Sequence, residues 1–169
     1  SCDLTRNIES PGCVPLVLNE ALFDPASGLD GDSNNDGTRD NIEDEFIEFF
    51  NNSSSSLDIS GYTIADASQL RHTFPPSTVV PANGAIVVFG GGTPTGSFGT
   101  AIVQTASEGS LALNNAGDKI TVENASGQVV IEFDSGEVGL DFGDNQSITR
   151  NPDITGNYDL HTNANPALL

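Results

Sequence analysis

Apolar residues fall along this chain in short bursts, each closed by Gly, Asn, Asp, Ser or Pro. Alternation over a few positions marks a half-buried strand, and an unbroken apolar run between turn residues marks a strand covered on both faces. The first strand is predicted from Leu16 to Leu22 (LVLNEAL), its period of two broken only at Ala21. Glu45 to Phe50 (EFIEFF) alternates cleanly and turns Phe46, with Phe49 or Phe50, toward a core. Leu57 to Ala65 forms a further strand or pair bent at Gly61 and Tyr62. Ala85 to Phe89 (AIVVF) is a buried strand ended by Gly90, Gly91 and Gly92, a turn with no Lys-Ser or Lys-Thr to make it a phosphate cradle. Ile102 and Val103 suit a short edge strand, and Lys119 to Glu123 and Gln128 to Phe133 flank a hairpin turn at Asn124 to Gly127. Ser147 to Arg150 supplies another strand, whereas Pro75 and Pro76 are barred from a central one. No segment has a helical period. The pattern predicts an all-β chain, an immunoglobulin-like β-sandwich of about 7–9 short strands with one long loop.

That loop, Asp24 to Asp44, carries the strongest local signal. Counting from Asp32, oxygen side chains stand at loop positions 1 (Asp32), 3 (Asn34), 5 (Asp36), 9 (Asp40) and 12 (Glu43), with Gly37 at position 6. Thr38 would add its backbone carbonyl. Calcium takes six to eight oxygens at about 2.3–2.6 Å, and alternating positions of a tight loop aim them at one centre. Two departures matter: Arg39 replaces the usual aliphatic residue at position 8, and neither flank is helical. The expectation is a calcium loop set between strands, with Asp24, Asp30 or Asp44 able to replace a ligand or complete a second site. A solvated acidic loop is the plainer alternative, and the complete spacing favours the ion. Its role would be structural, pinning a long loop with little core of its own. A second acidic group, Asp134, Glu137, Asp141 and Asp144, is irregular and reads as a solvated loop.

Charge and cysteines narrow the setting. The 169 residues suit one domain, and 5 Lys and Arg against 24 Asp and Glu give a net charge of −19. So acidic a surface repels itself unless cations gather at particular carboxylates, and it lacks the basic footprint that nucleic acid requires. No apolar run reaches the roughly 18 residues of a membrane-spanning helix. Cys2 and Cys13 read as a local disulfide within an N-terminal arm, residues 1–14, ahead of a sandwich domain at 15–169. Two free thiols are the other reading. A disulfide and a chain without initiator Met or leader fit a processed, secreted or cell-surface protein. His72 and His161 are the only histidines, and neither an H-E-x-x-H nor a G-x-S-x-G pattern occurs. His72 is expected beside a strand and His161 against the tail. Catalysis is therefore disfavoured.

Several segments, in order, resemble the bacterial lamin-tail domain family: Leu18 to Glu20, Asp24-Pro25, Gly31 to Asp40, Asp44 to Glu48 with Asn51, Leu57 to Tyr62, Arg71 to Pro75, Gly84 to Gly90, Gln146 to Arg150, and His161-Thr162. The resemblance implies an immunoglobulin-like, generally non-catalytic domain of secreted or surface proteins, often appended to hydrolases or nucleases. Tyr62 stands where such domains commonly carry Trp. Two functions follow as expectations. The first is a calcium-stabilised structural subunit of a surface or filamentous assembly, self-associating or joined to other surface proteins. There, Val14 to Leu18 or the Ala167 to Leu169 tail would extend a neighbour's sheet. The second is an accessory binding or adhesion domain for glycan, cell wall or protein. Asn51, Asn52, Asn124 and Asn145 each stand in an N-x-Ser context open to glycosylation.

Overall fold

The computed structural model describes residues 15–164. The arm with Cys2 and Cys13, and the Ala167 to Leu169 tail, lie outside the described residues. Among the described residues there are twelve strands, more than expected: β1 (Leu16–Leu22), β2 (Phe46–Asn51), β3 (Leu57–Asp58), β4 (Thr63–Ala65), β5 (Leu70–Thr73), β6 (Val79–Val80), β7 (Ala85–Phe89), β8 (Ile102–Thr105), β9 (Lys119–Glu123), β10 (Val129–Asp134), β11 (Ile148–Asn151) and β12 (Asn157–Leu160). The surplus consists of pieces too short to show a period. Two single-turn helices, α1 (Ser135–Val138) and α2 (His161–Ala164), also escaped the pattern, because four residues cannot display a helical repeat.

The strands form a six-stranded sheet ordered β12-β11-β1-β2-β7-β8, a four-stranded sheet ordered β10-β9-β4-β5, and a β3-β6 ribbon. Pairing is antiparallel throughout except β7 with β8, which run parallel and so need a crossover connection. The all-β sandwich is as expected. Along β1, Leu16 to Leu22 pair with β2, and Glu20 and Ala21 pair with β11 on the other side.

Core residues follow the pleat. Ile47 and Phe49 of β2, Ile86 and Val88 of β7, and Leu16, Leu18 and Ala21 of β1 meet Ile64, Ile120, Val122, Ile131 and Phe133 of the opposing sheet. Phe46 departs from expectation. It shares a face with Glu48, opposite Ile47 and Phe49, and is only half-buried. The break at Ala21 also has a cause: the register of β1 on β2 shifts between Leu18 and Glu20, so Asn19 is an extra, bulged residue. Leu18 and Ala21 thereby both reach the core, and Asn19 Nδ2 donates to Glu48 Oε1 at 2.9 Å.

Buried polar groups are consistently paired. Asn51 is fully buried and donates to the carbonyls of Ser55, Val80 and Pro81, so its N-x-Ser context is no glycan acceptor in the folded chain. Arg150 donates to the carbonyls of Leu18 and Gly156 and to the Tyr158 hydroxyl, with its guanidinium 4.5 Å from the Tyr158 ring centre. His72 lies within β5, as expected of a residue beside a strand, with Phe74 edge-on and Nε2 2.9 Å from Gln104 Oε1. Its Nδ1 accepts from the Ser107 N–H, so the fold selects the neutral Nε2–H tautomer.

Candidate metal centre

The long connection from β1 to β2 opens on a 3-10 turn, Gly28–Gly31, and then winds tightly through Asp32 to Glu43. Local carboxylate and amide oxygens shape it. Asp32 Oδ1 and Oδ2 accept from the N–H groups of Asp36 and Gly37 at 3.1 and 2.9 Å. Asn34 Oδ1 also accepts from Asp36 N–H, and Asp36 Oδ1 from Thr38 N–H. Asp40 Oδ1 takes the N–H groups of Ile42 and Glu43, which hold its carboxyl below the usual carboxylate range. Gly37 has φ near +92°, a value that favours glycine at the sharp turn.

Two residues outside the expected ligand set build the frame. Asp44 is fully buried, its Oδ1 on the Asn34 N–H and its Oδ2 on the Asp40 N–H, bracing the loop from within. It is therefore a backbone brace. Arg39 folds back instead of pointing inward, donating to the carbonyls of Ala26 and Pro25 at 2.8 and 2.5 Å. That contact explains its presence at position 8. Asp24 instead pairs with the Asn115 amide.

The glycine run after β7 is more than a turn. Residues 90–96 lie across the acidic loop as a strap. Gly90 and Gly91 donate to the carbonyls of Glu45 and Glu43, Thr93 N–H to Asp36 Oδ2, and Thr95 N–H to the Asn34 carbonyl. Asn34 Nδ2 reaches back to the Gly91 carbonyl. A Cβ at Gly90 would fall 1.8 Å from the Ile42 carbonyl oxygen, so only glycine fits there.

At Gly92 the predicted ligands converge. A Cβ built there would stand 2.4 Å from Asn34 Nδ2, 2.7 Å from Asp36 Oδ2 and 3.3 Å from Glu43 Oε2. The structure thus brings positions 3, 5 and 12 of the loop around one point beneath the strap. Asp32 and Asp40 bind backbone N–H groups of the same loop. Among the described residues no three Asp, Glu, His or Cys side chains form a ready-made metal cage. The donor set is all oxygen, which suits a hard cation, and Asn34 would present Oδ1 after rotation of its amide. The strap was missed in the sequence because its hydrogen bonds connect residues 57 positions apart.

The second acidic group does not converge. Asp134 caps α1 through the Gly136 N–H, Asp141 accepts from Gly143 N–H, and Asp144 from the Gln146 amide. Glu45, buried beside the loop, accepts from the Leu113 N–H, and burial pushes its carboxyl up to about 8. On the β11 side of β1, Ser147 Oγ donates to Glu20 Oε1, and His161 Nδ1 lies 3.0 Å from that same oxygen. The serine also contacts Nδ1, at 3.2 Å. A serine relay needs serine and carboxylate on opposite ring nitrogens, so this trio is a tether for α2.

An all-β, immunoglobulin-like sandwich with a strapped acidic loop belongs to the class of binding and structural domains. The family model of the Lamin Tail Domain matches residues 12–137, most of the sequence. The chain is a member of the lamin tail domain family. No curated protein matches it.

Proposed function

We propose that this chain is a non-enzymatic, calcium-stabilised extracellular structural module, a subunit of a cell-surface or filamentous assembly. The observation that carries the reading is the convergence of Asn34, Asp36 and Glu43 at Gly92, under a strap from the β7–β8 crossover. An ion held there ties the loop between β1 and β2 to the crossover that leaves β7 at the same end of the sheet. Binding free energy then becomes folding free energy, since the unfolded chain has no such site. At a net charge of −19, the ion also relieves self-repulsion. The six-stranded sheet ends on β8 and β12, whose outer backbone edges offer strand pairing to a second copy. The test is light scattering of the purified chain with calcium and with excess chelator. Particles that grow with concentration in calcium and dissolve on chelation support the reading. A monomer equally stable in both conditions contradicts it.

A second reading, an accessory binding domain for a glycan, cell-wall or protein ligand, is favoured by a cleft on the outer face of the six-stranded sheet. A calcium-dependent monomer retained on such a ligand would select it.

A further inference from the structure

The cleft has a volume of about 210 Å³ and lies over the outward-facing rows of β1, β2 and β7. Its floor carries Glu20 and Glu48, directly opposite each other across the β1–β2 pair. Its walls are Phe46, Phe89 and Phe98, with Ala101 at the rim. Phe46 and Phe98 both contact Phe89, with ring centres 5.8 and 5.1 Å away. Phe98 follows the strap in the same crossover, so the connection that covers the acidic loop also lines the cleft.

Like charges directly opposite on neighbouring strands are destabilising, so this pair needs an explanation. Glu20 has His161 as a partner at 3.0 Å. Among the described residues, the donor to Glu48 is the neutral Asn19 amide. Burial raises the Glu48 carboxyl above its ordinary value; the Asn19 hydrogen bond partly offsets this, and the charges of Glu20 and Asp153 add to it. The two neighbouring charges that act on Glu48, those of Glu20 and Asp153, are both negative. The hydrogen bonds that hold the two glutamates, from Asn19, Ser147 and His161, fall on Oε1.

We propose that this cleft binds a primary ammonium group on a short apolar stem, the chemistry of a lysine side chain or a free alkylamine. The ammonium sits between Glu20 and Glu48, and the stem lies along Phe46, Phe89 and Phe98. Two carboxylates supply the charge partners, and aromatic faces attract a cation through their ring quadrupoles. A neutral stem alone would gain only the apolar contact, and an anion would be repelled. The inference rests on the second reading above, and it holds whether or not the chain self-assembles.

The test uses the full chain in saturating calcium. Isothermal titration would be run with n-butylammonium, n-butanol and butyrate, and then with Nα-acetyl-lysine amide to distinguish the protein source from the free amine. The expected result is saturable butylammonium binding at least about tenfold tighter than butanol, with no binding of butyrate. Glu48→Gln keeps an acceptor for Asn19 and removes the charge, and it should weaken binding by about tenfold. Phe98→Ala, at a half-buried position on the crossover, should weaken it as well and serves if Glu48→Gln fails to fold. Equal binding of butylammonium and butanol would overturn the ammonium assignment while leaving the binding-domain reading intact. No saturable binding of either would overturn both. Acetyl-lysine amide binding as tightly as butylammonium would assign the cleft to a protein side chain, and much weaker binding would assign it to a free amine.

Discussion

Gly92 offers the sharpest perturbation of the strap. Its φ is +71°, and an added methyl would stand 2.4 Å from Asn34 Nδ2 and 2.7 Å from Asp36 Oδ2, so both side-chain ends must shift. Two separate costs follow. The left-handed backbone costs an alanine about 1–2 kcal/mol wherever it occurs. Pushing the two side chains aside breaks Asn34 to Gly91 and Thr93 to Asp36, at about 1 kcal/mol for each hydrogen bond. Gly99 is the internal control: it lies in the same crossover at φ +60°, with nothing within 4 Å of its Cβ position. Gly99→Ala should therefore lose only the backbone part. Gly92→Ala should unfold about 2 kcal/mol more easily than Gly99→Ala in urea, and its calcium affinity should fall by about tenfold or more. Equal midpoints and equal calcium affinities for the two variants would refute the strap as a partner of the acidic loop.

Other predictions address the frame and the buried polar groups. Asp44→Ala strands the N–H groups of Asn34 and Asp40 and should cost about 2–4 kcal/mol in chemical denaturation, with Asp44→Asn intermediate. A loss below about 0.5 kcal/mol would show that the loop does not need the brace. Arg150→Lys keeps the charge but cannot reproduce the fork onto Leu18, Gly156 and Tyr158, and should cost about 2 kcal/mol by the same assay. The two histidines should act in opposite directions with pH. Burial lowers the pKa of His72, so its contribution is intact above about 6.5 and lost as pH falls toward the lowered value. The Glu20 hydrogen bond raises that of His161, so its contribution is full below about 6.5 and lost as pH rises through the raised value. His72→Gln should flatten the stability profile on the acid side, and His161→Gln on the neutral side, when melting temperature is followed against pH.

The sandwich was legible in the sequence because β2, β9 and β10 alternate at a period of two and β1 and β7 are near-continuous buried runs. Short pieces such as β3 and β6 were not, since two residues have no period. The bulge at Asn19 appeared only as a broken alternation, and the outward turn of Phe46 depended on a register set by neighbouring strands. At the acidic loop, the spacing of Asp32 to Glu43 marked the residues, and the fold gathers Asn34, Asp36 and Glu43. Asp44 as a brace, Arg39 as a tie and the glycine strap could not be read locally. Their partners are backbone groups, and the strap's partners lie far away in the chain.

The account stands most directly on whether the loop from Asp32 to Glu43 holds calcium in the folded chain. Calorimetric unfolding of the full chain with millimolar calcium and with excess chelator, beside the double variant Asp36→Asn with Glu43→Gln, measures this. Calcium should raise the melting temperature of the unaltered chain by several degrees and barely move that of the variant. Equal stabilisation of both chains would place the ion elsewhere, and no stabilisation of either would contradict the central claim.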